Sequence, residues 1–233
     1  MIEFLPFKDR TVLVTALART LENRFKARLA AGHSVTWAVS GGSTPEMLFK
    51  AMGKKDMKWR HIHVCLVDER WVPPSHPRSN EAFIARSLLK DKAAAAPFSG
   101  LWTDNETLVA AAKSAEKNYR AQPLPIDSVL LGMGPDGHTA SLFPGSKGLE
   151  AAFDLSRPDL ITPVTAVRSD VTGAETQRLT LTAKAITDAG HVALMLFGAE
   201  KRAVFEKALE DENLPVTRLI KLQRRPVQIY WAP

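Results

Sequence analysis

The stretch Leu130–Gly145, LLGMGPDGHTASLFPG, places Asp136 and His138 two residues apart in a glycine-rich segment. A histidine titrates near neutrality and can take a proton from water, while a nearby carboxylate can orient its ring or bind a hydroxyl. Gly132, Gly134 and Gly137 also spell G-x-G-x-x-G, the spacing of a dinucleotide-binding turn. That turn needs a helix whose N-terminus carries the pyrophosphate. Here Pro144 interrupts the chain six residues after His138, and Asp136 would set a negative charge beside two phosphates. The segment therefore reads as a loop presenting Asp136 and His138 as catalytic groups, or as a tight turn whose polar residues satisfy backbone groups. Spacing alone leaves both open.

Three other stretches carry residues suited to an anionic sugar. Ser40–Pro45, SGGSTP, offers small residues Gly41, Gly42, Ser43 and Thr44 whose N–H groups can approach a ligand. Thr44 is expected to cap a helix whose first residue is Pro45, which would add the helix dipole to an anion site. The stretch lacks G-K-[ST] and is no Walker loop. DERWVPPSHPRSN gathers Asp68, Arg70 and Asn80; the planar fork of Arg70 suits phosphate, and Asp68 and Asn80 suit hydroxyls. Lys201 opens a helical segment after FG and can grip an anion there. Each stretch has an ordinary reading as well: a capped turn, a surface loop with local ion pairs, a solvated lysine.

These loops need a frame. Leu13, Leu17, Leu21, Phe25 and Leu29 recur every four residues and predict a helix over 9–31, stopped at Gly32. Strands are expected at 34–40, 61–69, 126–134, 178–182, 191–198 and 226–231. Helices are expected at 45–53, 80–90, 105–121 and 199–210. Alternating helices with nearly all-apolar strands argues for an α/β fold, a Rossmann-like and mainly parallel sheet with helices on both faces. No linker divides residues 1–233, so a single domain is expected. In such sheets ligands sit beyond the carboxyl ends of the strands, where the polar loops fall.

Composition limits the alternatives. The 233 residues carry a formal net charge of +6, scattered along the chain, with no basic run that would mark a nucleic-acid binder. No apolar stretch approaches the ~18 residues of a membrane span, and MIEFLPFKDR has no secretory pattern, so a cytoplasmic location is expected. Cys65 is the single cysteine, which excludes an internal disulfide. His61 and His63 would share one face of a strand, yet no third ligand is evident, and no metal site is expected. Ser40, Ser43 and Ser141 sit in no G-x-S-x-G elbow, and Cys65 reads as core. Trp37, Trp59, Trp71, Trp102 and Trp231 read as packing residues, with Trp71 a possible wall of the site.

Taken together and in order, SGGSTP, DERWVP, HPRSN, LLGMGPDGHTASLFPG, RLTLT and FGAEKRA make the chain resemble the 6-phosphogluconolactonases of the pentose phosphate pathway. The resemblance implies a fold shared with glucosamine-6-phosphate deaminases and ribose-5-phosphate isomerases. It implies hydrolysis of 6-phospho-D-glucono-1,5-lactone to 6-phospho-D-gluconate without metal or other cofactor. His138 would activate water. The phosphate contacts would fall on the backbone of Gly41–Thr44, on Arg70 and on Lys201, and the match in RLTLT adds Arg178. The expected partner is the small phosphorylated lactone, with no nucleic acid and no membrane, in a monomer or weak homo-oligomer. Two departures touch the rim: Arg78 stands where relatives usually have an acid, and the chain stops at IYWAP where relatives often continue.

Two competitors differ in identifiable residues. Aminosugar-phosphate deaminases continue their Asp-Gly-His turn with Asn-Glu-Pro, and here those positions are Leu142, Phe143 and Pro144. A phenylalanine relays no proton. A sugar-phosphate sensor of the repressor type carries a helix-turn-helix, and the 39 residues before SGGSTP hold one long helix and one strand. An isolated non-catalytic sensor is separated from an enzyme by a turnover assay.

Overall fold

The computed structural model describes residues 1–233. Strand β1 (Ile2–Pro6) leads into helix α1 (Arg10–Ala30), followed by β2 (Val35–Val39) and α2 (Glu46–Gly53). Next come β3 (Ile62–Leu66), β4 (Asp68–Arg70), α3 (Asn80–Ser87), β5 (Phe98–Ser99), α4 (Leu108–Arg120) and β6 (Ser128–Leu131). After these lie α5 (Leu149–Phe153), β7 (Ile161–Thr165), β8 (Gln177–Leu181) and α6 (Ala183–Thr187). The chain ends with β9 (Val192–Phe197), α7 (Ala199–Ala208), α8 (Pro215–Leu222) and β10 (Val227–Ala232).

Seven strands form one parallel sheet in the order β1-β10-β9-β6-β2-β3-β5. Every residue of β2 and β6 is buried. Neighbouring side chains on a strand point to opposite faces, so both faces of the sheet centre are covered, as the apolar runs predict. Helix α1 begins where the Asp9 carboxylate accepts from Val12 N–H at 2.8 Å and ends at Ala30, capped by Ala31, with Gly32 following at φ +80°. It buries Leu13, Leu17, Leu21 and Phe25 as the spacing requires, while Leu29 is only half-buried. Phe25, Trp37, Phe49 and Phe83 meet in sequence, tilted or edge to face, with centroids 5.6, 5.9 and 6.1 Å apart, tying α1, β2, α2 and α3 into one core. Cys65 is fully buried there, and burial pushes its thiol up.

The structure departs from expectation in a second sheet. β4, β8 and β7 form an antiparallel layer of their own, with Arg70 opposite Arg178. The segment expected as one strand over 61–69 therefore serves two sheets, breaking at Val67. RLTLT joins the small layer and not the parallel sheet. β1 and β7 were not expected, because IEFLP and ITPVT each carry a proline and alternate poorly. Both are edge strands, where proline is tolerated. His61 lies in a 3-10 turn, Trp59–His61, so it does not share a strand face with His63. His63 instead meets Ser99 Oγ at 3.0 Å. No three His, Cys, Asp or Glu side chains cluster in a way that could hold a metal, and no helix is long and apolar enough to cross a membrane.

A polar network, buried at Ser128 and His191, joins β6, the residue that precedes β9, and β10. Gln228 Nε2 donates to Glu3, which fixes its Oε1 as acceptor for His191 Nε2 at 2.8 Å, and Ser128 Oγ donates to His191 Nδ1 at 2.8 Å. That set fits a neutral ring, and burial pushes the imidazole down to about 4. The unfolded chain thus takes this proton first as the pH falls. Stability should be lost between roughly pH 6.5 and 4, by about 3 kcal/mol from this group. Urea unfolding across that range checks it: His191→Gln should flatten the slope, and an unchanged slope would assign acid sensitivity elsewhere.

Candidate active site

Three loops at the carboxyl ends of adjacent parallel strands and two strands of the small sheet enclose one cavity of about 330 Å³. The loop after β2 brings Gly41, Gly42, Ser43 and Thr44 to its wall. Their four N–H groups donate to nothing within the chain. The expected cap is not made: Pro45 is the N-cap, α2 starts at Glu46, and the Thr44 side chain bonds no helix N–H. Proline has no side-chain acceptor, so the first turn is entered without a side-chain cap.

The loop after β6 is a tight turn without a following helix; the next one begins only at Leu149. This removes the dinucleotide reading. Gly134 N–H donates to His138 O at 2.9 Å, and the imidazole lies across the bare Cα of Gly134. A Cβ there would stand 2.0 Å from the ring, so only glycine admits the side chain in this pose. Asp136 Oδ1 meets His138 Nδ1 at 2.5 Å. Burial opposes charge on Asp136, but the hydrogen bonds and charge of His138 outweigh it and hold the carboxyl below its ordinary range. His138 lines the cavity and Asp136 stands behind it. With Nδ1 engaged, Nε2 is the nitrogen left for the cavity.

The small sheet supplies cations. Arg70 Nη1 donates to Asn80 Oδ1 at 2.8 Å and to Arg78 O at 3.0 Å. Asn80 Nδ2 donates to Asp68 O at 2.8 Å. The Asn80 amide, expected on substrate hydroxyls, therefore has both ends engaged and orients Arg70. Asp68 is buried in the wall and accepts from Ser141 Oγ at 2.6 Å. Arg178 is almost fully buried, held by Glu175 O and Thr172 O at 2.9 and 3.0 Å. Burial, with the nearby Arg70 charge, brings its guanidinium down to about 10, which leaves it cationic at neutral pH. Lys201 comes from α7 and donates to Met133 O at 2.8 Å; burial lowers its ammonium as well. Every side-chain hydrogen bond of Arg70, Arg178 and Lys201 goes to a neutral oxygen, and none of the three forms an ion pair with an acid of the chain, although Asp68 and Glu69 lie near enough to favour the charge on Arg178.

Some site residues escaped the sequence reading. Glu69, 1% exposed, accepts from Arg70 N–H, Asn80 N–H, Glu81 N–H and Ser79 Oγ, and so ties β4 to the start of α3. Burial pushes its carboxyl up to about 7 against those hydrogen bonds. Phe143 lies between two functional groups, its centroid 4.1 Å from that of His138 and 5.4 Å from the Arg178 guanidinium. Val171 closes the wall from the β7–β8 connection. Phe143 was marked in the sequence only by standing where the deaminases have their glutamate, and nothing marked Val171. Trp71 does not line the cavity; its indole reaches toward Thr103 O at 3.5 Å.

The sequence model described as glucosamine-6-phosphate isomerases/6-phosphogluconolactonase matches residues 8–231. The chain belongs to this family. Within it, the chain is 40% identical over 230 residues to a 6-phosphogluconolactonase of Rhizobium meliloti (strain 1021), covering 97% of each. It is 39% identical to one of Pseudomonas aeruginosa over 93% of this chain and 89% of the relative. The crystal structure of a 6-phosphogluconolactonase from Shewanella baltica OS155 superposes with a TM-score of 0.92 at 32% identity, covering 100% of this chain and 98% of the other. Both named activities of the family concern phosphorylated sugars, which accords with a cation-lined pocket at the mouth of a Rossmann-like sheet.

Proposed function

We propose that this protein hydrolyses 6-phospho-D-glucono-1,5-lactone to 6-phospho-D-gluconate, a step of the pentose phosphate pathway, with His138 as the base that activates water. The observation that carries the reading is the convergence of Arg70, Arg178 and Lys201, whose side chains make no ion pair within the chain, on the cavity that His138 faces. The phosphate rests on the free N–H groups of residues 41–44 and on Arg70 and Lys201. Its binding holds the lactone carbonyl near His138, so a remote group supplies the positioning.

The chemistry follows from the ring. His138 Nε2 takes a proton from water as the oxygen attacks the lactone carbonyl carbon. Asp136 holds Nδ1 and stabilises the imidazolium. The tetrahedral intermediate collapses with cleavage of the bond to the ring oxygen. The imidazolium returns its proton to that oxygen, which becomes a hydroxyl, and the carboxylic acid ionises. Phe143 supports this reading over a deaminase: it occupies the place of the glutamate that family branch uses, and packs on the histidine without exchanging a proton.

The test follows disappearance of freshly generated lactone in buffer and with the protein. Acceleration with release of 6-phosphogluconate is expected. A rate equal to buffer would overturn the assignment and favour a sugar-phosphate sensor.

A further inference from the structure

The connection 166–176 between β7 and β8 forms one side of the cavity through Val171. Two arginines hold its backbone. Arg178 donates to Thr172 O and Glu175 O, as described. Arg78, from the segment after β4, donates from Nη2 to the same Thr172 O at 3.3 Å, and its Nη1 pairs with the Glu175 carboxylate. Its guanidinium lies on the bare Cα of Gly173, which has φ +70°; a Cβ would stand 2.2 Å from Nη1. The Arg78 carbonyl, meanwhile, accepts from Arg70. Residue 78 thus meets both cations of the small sheet, Arg70 through its main chain and Arg178 through the loop its side chain grips.

We propose that Arg78 is a positioning residue: its ion pair with Glu175 latches the loop 166–176 over the cavity and fixes Val171 and Arg178 in the arrangement that receives the substrate. This rests on the substrate assignment above. A partly exposed ion pair adds little to global stability. Its effect lies in pre-organisation, because a loop that must be ordered on binding lowers affinity by the entropy of ordering it. The substitution Arg78→Ala keeps the carbonyl that Arg70 uses, so it removes the latch and leaves the Arg70 contact in place.

Steady-state kinetics on the lactone and hydrogen exchange of the full chain test this together. Arg78→Ala and Glu175→Ala should each raise KM about 3- to 10-fold with kcat within about twofold, the double variant should be no worse than either, and Arg78→Lys should recover most of the loss. Exchange of the amides of 171–176 should speed up in both alanine variants. A fall in kcat at constant KM, additive effects in the double variant, or unchanged exchange would overturn the latch. Should the wild type not turn the lactone over, the substrate assignment fails, and the exchange result still decides whether the ion pair holds the loop.

Discussion

Replacing His138 by alanine is expected to lower kcat by about 10²- to 10⁴-fold, the range of a single general base, with KM changed only a few-fold. The split follows from geometry. The ring faces the cavity through one nitrogen and makes its other polar contact to Asp136, behind the wall. The groups placed on the phosphate are elsewhere, on the β2 loop, β4 and α7. Removing the imidazole therefore leaves binding largely intact and removes proton transfer, equivalent to roughly 3–5 kcal/mol of barrier. The lactone carbonyl is already electrophilic, so residual turnover from positioning alone is expected. Initial rates on fresh lactone, corrected for hydrolysis in buffer, measure it. Undiminished kcat would move the base to another group.

The second large effect is expected at Arg70. Its Nη1 is committed to Asn80 and the Arg78 carbonyl, which aims the rest of the fork into the cavity. A charge-assisted hydrogen bond to phosphate contributes about 1.5–3 kcal/mol, so Arg70→Ala should raise KM by roughly 10- to 100-fold and reduce kcat less. Arg70→Lys should fall between, since lysine keeps the charge but loses the fork that Asn80 orients. The alanine variant also strands Asn80 Oδ1, so its thermal unfolding should be compared with the wild type before kinetics are interpreted. An unchanged KM would take Arg70 out of the phosphate contact.

Much of this site was legible because its polar residues sit in short runs with strong backbone signatures. Gly134, Asp136 and His138 lie within five residues, and their turn geometry is local. The parallel sheet was legible for a similar reason: β2, β6 and β9 are buried on both faces and read as nearly all-apolar runs, broken only by Thr36 and Ser128. The small sheet was not, because β4 has three residues and β7 contains Pro163; neither has a periodicity to detect. That gap hid the roles of Asn80 and Glu69, which are set by contacts between β4 and α3. Thr44 misled for a plain reason. A threonine before proline matches a capping pattern, yet the chain passes through Pro45 before turning into α2.

The register that sets Arg70 opposite Arg178 has one more consequence. Like charges facing each other across a strand pair repel, and one of these two is almost fully buried. The fold therefore holds two cations face to face without an ion pair to either, and the nearby Asp68 and Glu69 only temper the repulsion. Swapping one arginine for a neutral side chain that still donates to the oxygens it holds, such as glutamine, would be expected to relieve that repulsion and to make the protein a worse binder of dianions. Resilience and affinity are in opposition at this one strand pair, so a search for hardier variants would tend to erode the grip on phosphate first.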